Sequence, residues 1–325
     1  MKNSSFKIRQ ITDAAVVVAI YAILLLISRL TGSLLESDLF FIMPLPIAIY
    51  AYKYDLKTTL IPFASTSIVS FFLCSNPLNA LVYVLPGLIT GSLHGGFLVK
   101  TKINKGLNII ILTILSSITE VLSAVVLSNM LGVENIFDSI TYMINGLNDI
   151  LSKMNISDFN TNLLQSLLQG LIPSIILIIS LMDAVVFYLL FMLFVQRTKI
   201  NKDNFNFTDK FNFIGPSPIL GICYILIAII SIFGISFYAK TTGFLYVLAT
   251  IFINLYIILS FVFLYYGYKF LILLARIYNK KWLIIVAILS VFILLPFVVI
   301  LGVIDNIGRF SYKMTQNKNN QTPQN

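Results

Sequence analysis

The sequence predicts an all-α fold: a polytopic transmembrane helical bundle of about nine spans. Three observations predict it. Long apolar runs recur at Ile11–Leu30, Leu56–Leu73, Ala80–Val99, Leu107–Leu131, Leu163–Val195, Ile219–Phe237, Phe244–Tyr266 and Trp282–Val303, with a shorter one at Leu39–Ala51. A hydrocarbon core about 30 Å thick takes roughly 20 apolar residues at about 1.5 Å each, and most of these runs reach that length. Next, 58% of the 325 residues are hydrophobic and 11% charged. Soluble domains carry roughly 25% charged residues, so no sizeable soluble domain fits beside the membrane part. Finally, lysines and arginines close the runs in short loops, where such charges orient a membrane chain.

The first run follows a basic start, Lys2, Lys7 and Arg9. It is too long for a cleavable signal segment and lacks a clean small-residue cleavage site, so it reads as a retained first helix. One alternating set of connections holds those three cations, then Lys53 and Lys57, Lys100, Lys102 and Lys105, Arg197 to Lys210, and Lys269 to Lys281. The opposite set holds Arg29, Lys153 and Lys240, with Arg309, Lys313 and Lys318 in the tail. The positive-inside rule then places the N-terminus in the cytoplasm; the abundance of Ile, Asn and Lys points to an AT-rich bacterial genome, and so to a bacterial cytoplasmic membrane. The alternation requires Leu39–Ala51 to cross, although it is short and contains Pro44 and Pro46; re-entry is the other option. The net charge of +9 sits in these loops, so nucleic acid is not an expected partner; membrane lipid is.

Between the fifth and sixth runs, Glu134–Met154 places Ile136, Ile140, Met143, Ile144, Leu147, Ile150 and Leu151 at helical spacing opposite Asp138, Asn145, Asn148 and Asp149. It reads as an amphipathic helix on the outer surface, or as a connector shielding its apolar side. A polar break divides the chain. Residues 1–200 form a six-span core, 201–215 a cytoplasmic linker, 216–304 a three-span accessory region, and 305–325 a polar tail read as disordered.

Ionisable groups inside a bilayer cost roughly 2.5–3.5 kcal/mol on insertion scales, so each is a functional candidate. Glu120 lies fifteen residues beyond Lys105, and Asp183 fourteen before Arg197. At about 1.5 Å per residue their depths match. Asn254, fifteen residues before Lys269, sits at similar depth, and Arg29 ends the first run. These four are the candidate substrate-binding residues, with the two acids facing one chamber. Arg29 could instead pair with Glu36 or Asp38, or snorkel. Small residues supply two packing candidates: Ala15, Ala19 and Ala22 on the first helix, and the ladder Gly87, Gly91 and Gly95 after Pro86. The ladder reads as packing within the chain.

His94 is the only histidine, and Cys74 and Cys223 lie in separate runs, so no metal site and no cofactor is expected. His94 reads as packed or interfacial. The chain has no G-x-x-x-x-G-K-[ST], no H-E-x-x-H and no G-x-S-x-G; an enzyme is not expected, and transport would need separate energising subunits.

Ile11–Lys105 resembles the YybS-like family of uncharacterised bacterial membrane proteins. The carrying residues are Thr12-Asp13-Ala14-Ala15, Phe40-Phe41-Ile42-Met43-Pro44-Leu45-Pro46, Tyr54-Asp55-Leu56-Lys57 and Leu85-Pro86-Gly87-Leu88-Ile89-Thr90-Gly91. That family in turn looks like the substrate-binding (S) components of energy-coupling-factor transporters. Those are six-helix bundles whose first helix docks a transmembrane coupling subunit, itself joined to ATPases, through an Ala-x-x-x-Ala stripe. The resemblance implies that Ala15 and Ala19 dock such a partner and that a small polar solute is captured from outside. The three extra spans depart from that pattern. The other reading is a non-transporting membrane scaffold, for example in envelope growth or sporulation. An ion-coupled secondary carrier would show inverted repeats, and none is visible.

Overall fold

A computed structural model describes residues 2–32, 40–101, 104–131, 136–153, 161–198, 217–238, 243–278, 282 and 295–314. Among them the regular structure is helical, with no strand. Six helices are long and apolar enough to cross a membrane, and Pro218–Gly234 and Leu295–Gly308 are shorter apolar helices. With the short Leu39–Ala51 segment these account for the nine expected runs, the last being described from Leu295 onward, apart from Trp282. The chain divides into two compact units, Met1–Ile136 with Ile176–Asn212, and Phe137–Ile175 with Phe213–Asn325.

The first unit contains α1 (Lys2–Leu30), a 3-10 turn (Phe40–Ile42), α2 (Leu45–Lys53), α3 (Leu56–Leu73), α4 (Pro77–Leu98) and α5 (Lys105–Leu131). It also takes the later part of α7 (Thr161–Arg197). α1 buries Ala14, Val17, Tyr21, Leu25 and Ser28, at steps of three and four that keep one stripe inward. This stripe packs with Met43, Ile47, Tyr50, Cys74, Val84 and Leu88.

α2 has 9 residues, and Leu45, Ile47, Ala48, Tyr50, Ala51 and Tyr52 are all buried. A helix apolar all round needs protein on every side. It runs antiparallel to α1: the Tyr21 hydroxyl donates to the Met43 carbonyl, the Tyr50 hydroxyl to the Gln10 carbonyl (3.2 Å), and Lys53 pairs with Asp13. The chain therefore returns, by residue 53, to the end of α1 that carries Asp13.

α4 begins where the Asn76 side chain accepts the Leu78 N–H, and two π-type turns widen it, Ala80–Val84 and His94–Leu98. It lies directly on α2. A Cβ on Gly91 would sit 2.2 Å from the Pro44 carbonyl oxygen, and one on Gly95 2.0 Å from that of Ala48. Gly91 and Gly95 are thus contacts within the chain, and Gly87 beside them is buried.

The second unit contains α6 (Ile136–Lys153) from Phe137, the start of α7, α8 (Pro218–Tyr238), α9 (Phe244–Ile277) and α10 (Leu295–Gly308). α9 and α10 cross at two glycines that sequence reading passed over. A Cβ on Gly267 would lie 2.0 Å from the Val298 carbonyl oxygen, and one on Gly302 2.0 Å from that of Phe263. On α6, Ile144 is buried while Met143 and Ile150 are each 56% exposed, so the protein does not cover the whole apolar stripe.

Two expected boundaries move. The six-span core does not close at residue 200, because the division falls inside α7. That helix has 37 residues, about 55 Å long, more than one membrane layer can hold. Its early residues Leu163, Leu167 and Leu171 pack on Ala249 and Ile253 of α9. The polar tail does not start at 305 either, since α10 continues to Gly308. There Arg309 takes φ +51°, and the buried Asp305 carboxylate accepts the Ser311 N–H and hydroxyl, both at 2.7 Å. The linker 201–215 and residues 315–325 lie outside the described residues.

Candidate functional site

α5 carries polar residues on its buried side at helical spacing: Asn108, Ser116, Thr119 and Ser123. Such residues disturb a helix little when they bond back to the preceding turn. Thr119 donates to the Leu115 carbonyl at 3.0 Å, and Ser123 to that of Glu120 at 2.7 Å. Ser116, 4% exposed, has no hydrogen-bond partner for its hydroxyl among the described residues.

Glu120 follows on α5 and Asp183 faces the same region from α7. Both are half-buried, and they lie within electrostatic reach of each other. Both acids fall in the first unit. Neither acid belongs to the ion pairs found among the described residues, which are Lys53–Asp13 and Lys100–Asp55.

Asp183 lines a cavity of about 10 Å³ with Ser116, Thr90, Pro44, Leu112 and Phe187. That volume holds about one water molecule. Glu120 is not in its wall. The single chamber shared by both acids therefore reduces to a water-sized void against Asp183, too small for an organic solute. A roomier cavity of about 310 Å³ lies in the second unit, walled by Tyr224, Tyr256, Ser260, Leu264 and Val299. Among its polar groups the Tyr224 hydroxyl and Ser260 bond each other at 3.1 Å, and no charged side chain is in its described wall.

Asn254 is not free to hold a substrate. Its Oδ1 accepts the Ser174 N–H (2.9 Å) and hydroxyl (2.5 Å), and its Nδ2 donates to the carbonyls of Gly170 and Thr250, both at 2.7 Å. Two donors and two accepted bonds use the amide's full capacity. The reason lies in α7. Pro173 lies inside that helix, and the Asn254 amide bonds the Ser174 N–H and the Gly170 C=O on either side of it. A sequence reading sees a polar residue in an apolar run, but not the proline gap on another helix that it fills.

Arg29 is exposed, and Glu36 and Asp38, its candidate partners, lie outside the described residues. Ala15 and Ala19 are exposed on α1 and Ala22 is half-buried, so the stripe is not consumed by packing. His94 is fully buried, as expected for a packed histidine. Its Nδ1 lies 3.2 Å from Asn108 Oδ1, and Phe187, Tyr188 and Phe191 surround the ring edge-on. Its Nε2 has no partner.

One cluster was missed as a site. Asp13 accepts from Lys53 and from the Tyr54 hydroxyl, and Lys100 pairs with Asp55 at 3.1 Å and reaches the Tyr54 carbonyl. Burial and the bond to Asp13 both push the Tyr54 phenol up from its ordinary value. The signal was present, since Asp13, Tyr54 and Asp55 are among the residues that carry the family resemblance. Among the described residues no three His, Cys, Asp or Glu side chains gather as a metal site.

The family of predicted membrane proteins DUF2232 matches residues 19–306. The chain belongs to this family. The match agrees with the apolar helices, and makes the chain a membrane protein of an uncharacterised family. No curated protein and no solved structure matches it. The family match spans Glu120, Asp183, Ser116 and Asn254, and starts after Asp13 and Ala15.

Proposed function

We propose that the chain is a membrane-embedded solute-binding component, S-like in the energy-coupling-factor sense. It sits in the bacterial cytoplasmic membrane with its N-terminus inside, performs no chemistry of its own, and captures a small polar solute from outside. The observation that carries this reading is that the first unit holds two half-buried acids, Glu120 and Asp183, without an ion-pairing base among the described residues. Unpaired ionisable groups in a bilayer are costly and are kept where a ligand or proton uses them. The exposed Ala15–Ala19 stripe supports docking of a coupling subunit, since small residues let helices approach closely. A solute larger than water requires the helices around Asp183 to part.

The water-sized cavity favours a second reading, the non-transporting scaffold. Mass spectrometry of small molecules and proteins retained by the purified chain separates the two. The S-like reading expects a polar solute retained by the native chain and lost from Glu120→Gln and Asp183→Asn. It also expects a membrane coupling partner lost from the double variant Ala15→Leu, Ala19→Leu. A chain that retains protein partners through both sets of changes, and no solute, is a scaffold.

A further inference from the structure

The geometry points to a binding site for one small monovalent cation, a sodium ion or a hydrated proton, held by Asp183 and Ser116 between α4, α5 and α7. It deepens the proposed function and rests on that reading of Asp183 as a ligand group, but not on import of an organic solute.

Three observations converge. The first is size: the cavity of about 10 Å³ admits one water or one bare small ion and nothing larger. The second is an unsatisfied donor-acceptor: Ser116 is 4% exposed, lines this cavity, and its Oγ has no hydrogen-bond partner. Leaving such a hydroxyl buried and unpaired costs about 1–3 kcal/mol, which a ligand's contact removes. The third is charge. Asp183 is the only titratable residue in the wall; Phe41, Pro44, Thr90, Leu112, Ala184 and Phe187 supply none. One carboxylate in the wall matches one positive charge, and hard cations prefer the oxygen ligands that carboxylate and hydroxyl supply. Pro44 contributes the end of an interrupted backbone segment, between the 3-10 turn and α2, and interrupted helices at membrane depth are where transporters hold Na⁺ or H⁺.

The test uses the full chain in lipid nanodiscs. Radioactive sodium binding is measured by scintillation proximity, alongside thermal unfolding with sodium chloride replaced by choline chloride at constant ionic strength, at low and high pH. The sodium arm expects saturable binding and a sodium-dependent rise in Tm. Both are lost in Asp183→Asn, and affinity falls about tenfold in Ser116→Ala. The proton arm expects no sodium effect, but a Tm that rises as pH falls and that stops responding in Asp183→Asn. The site is overturned if Asp183→Asn binds sodium like the native chain, or if neither sodium nor pH separates the two. Should Asp183→Asn fail to fold, Ser116→Ala and Ser116→Val carry the same comparison. Sodium binding without any retained solute sinks the importer and leaves the cation site standing; a retained solute with no cation effect does the reverse.

Discussion

The two units differ in how many buried polar groups they leave without a partner among the described residues. In the second unit such groups are mostly occupied. Asn254 uses its whole amide, Ser231 reaches both the Ile227 and Phe252 carbonyls, Tyr224 meets Ser260, and Asp305 holds Ser311 twice. Asn306 uses its Oδ1 on the Ser217 N–H and leaves only Nδ2 without a partner. In the first unit Thr66, Ser92, Ser116, Ser180 and His94 Nε2 are buried without a hydrogen bond among the described residues, and Glu120 and Asp183 are half-buried without an ion-pairing base among them. Unsatisfied buried groups call for an explanation, because each costs about 1–3 kcal/mol. The second unit therefore leaves fewer buried polar groups open than the first.

The comparison can be broken at four points. The largest effects are expected at the glycine crossings, which both units share. Gly95→Val and Gly267→Val each force a side chain onto a carbonyl oxygen that lies 2.0 Å from the new Cβ. Each should lower stability by about 3 kcal/mol or prevent folding, read as lost monodisperse yield in detergent. A unit that tolerated its substitution would be less tightly packed than described.

Next come the buried polar groups, where the units should differ in sign. Asn254→Leu strands the Ser174 N–H and the Gly170 carbonyl, and should destabilise by about 2–3 kcal/mol in denaturant unfolding. Ser116→Ala removes an unpaired hydroxyl and leaves at most a one-atom void, and should be neutral or stabilising by up to about 1 kcal/mol in the absence of ligand. Equal losses at both positions would abolish the distinction between the units.

A smaller effect is expected at the polar end of the first unit. Lys53→Met breaks the pair with Asp13 at a half-exposed position, and should cost about 0.5–1 kcal/mol, less in high salt. The smallest belongs to Ala15→Leu with Ala19→Leu. Both residues are exposed, so unfolding should shift by no more than about 0.5 kcal/mol, whatever happens to partner binding. A large loss of stability would mean that the stripe packs inside this chain after all.

Much of the fold was legible because its signals are local. A run of apolar residues reports a span by length alone, and the depth of Glu120 and Asp183 follows from counting residues along rigid helices. α6 was legible from spacing, and the return of the chain by Lys53 from the alternation of charge. The opposite outcome for Asn254 has an equally physical reason: a polar residue counted along its own helix looks unpaired until the partner helix is known. The closing of α9 on α10 through Gly267 and Gly302 was missed because single glycines in apolar runs form no pattern.

By itself, then, the sequence determined that this is a helical membrane protein and where its apolar runs lie. These depend on transfer free energy and helix rise, which add residue by residue. Only the tertiary structure decided that Asn254 bridges a proline break, that α7 belongs to two units, and that the space beside Asp183 and Ser116 fits a single water or ion. Those depend on which helix faces which, a property of pairs of distant residues that no single stretch of sequence contains.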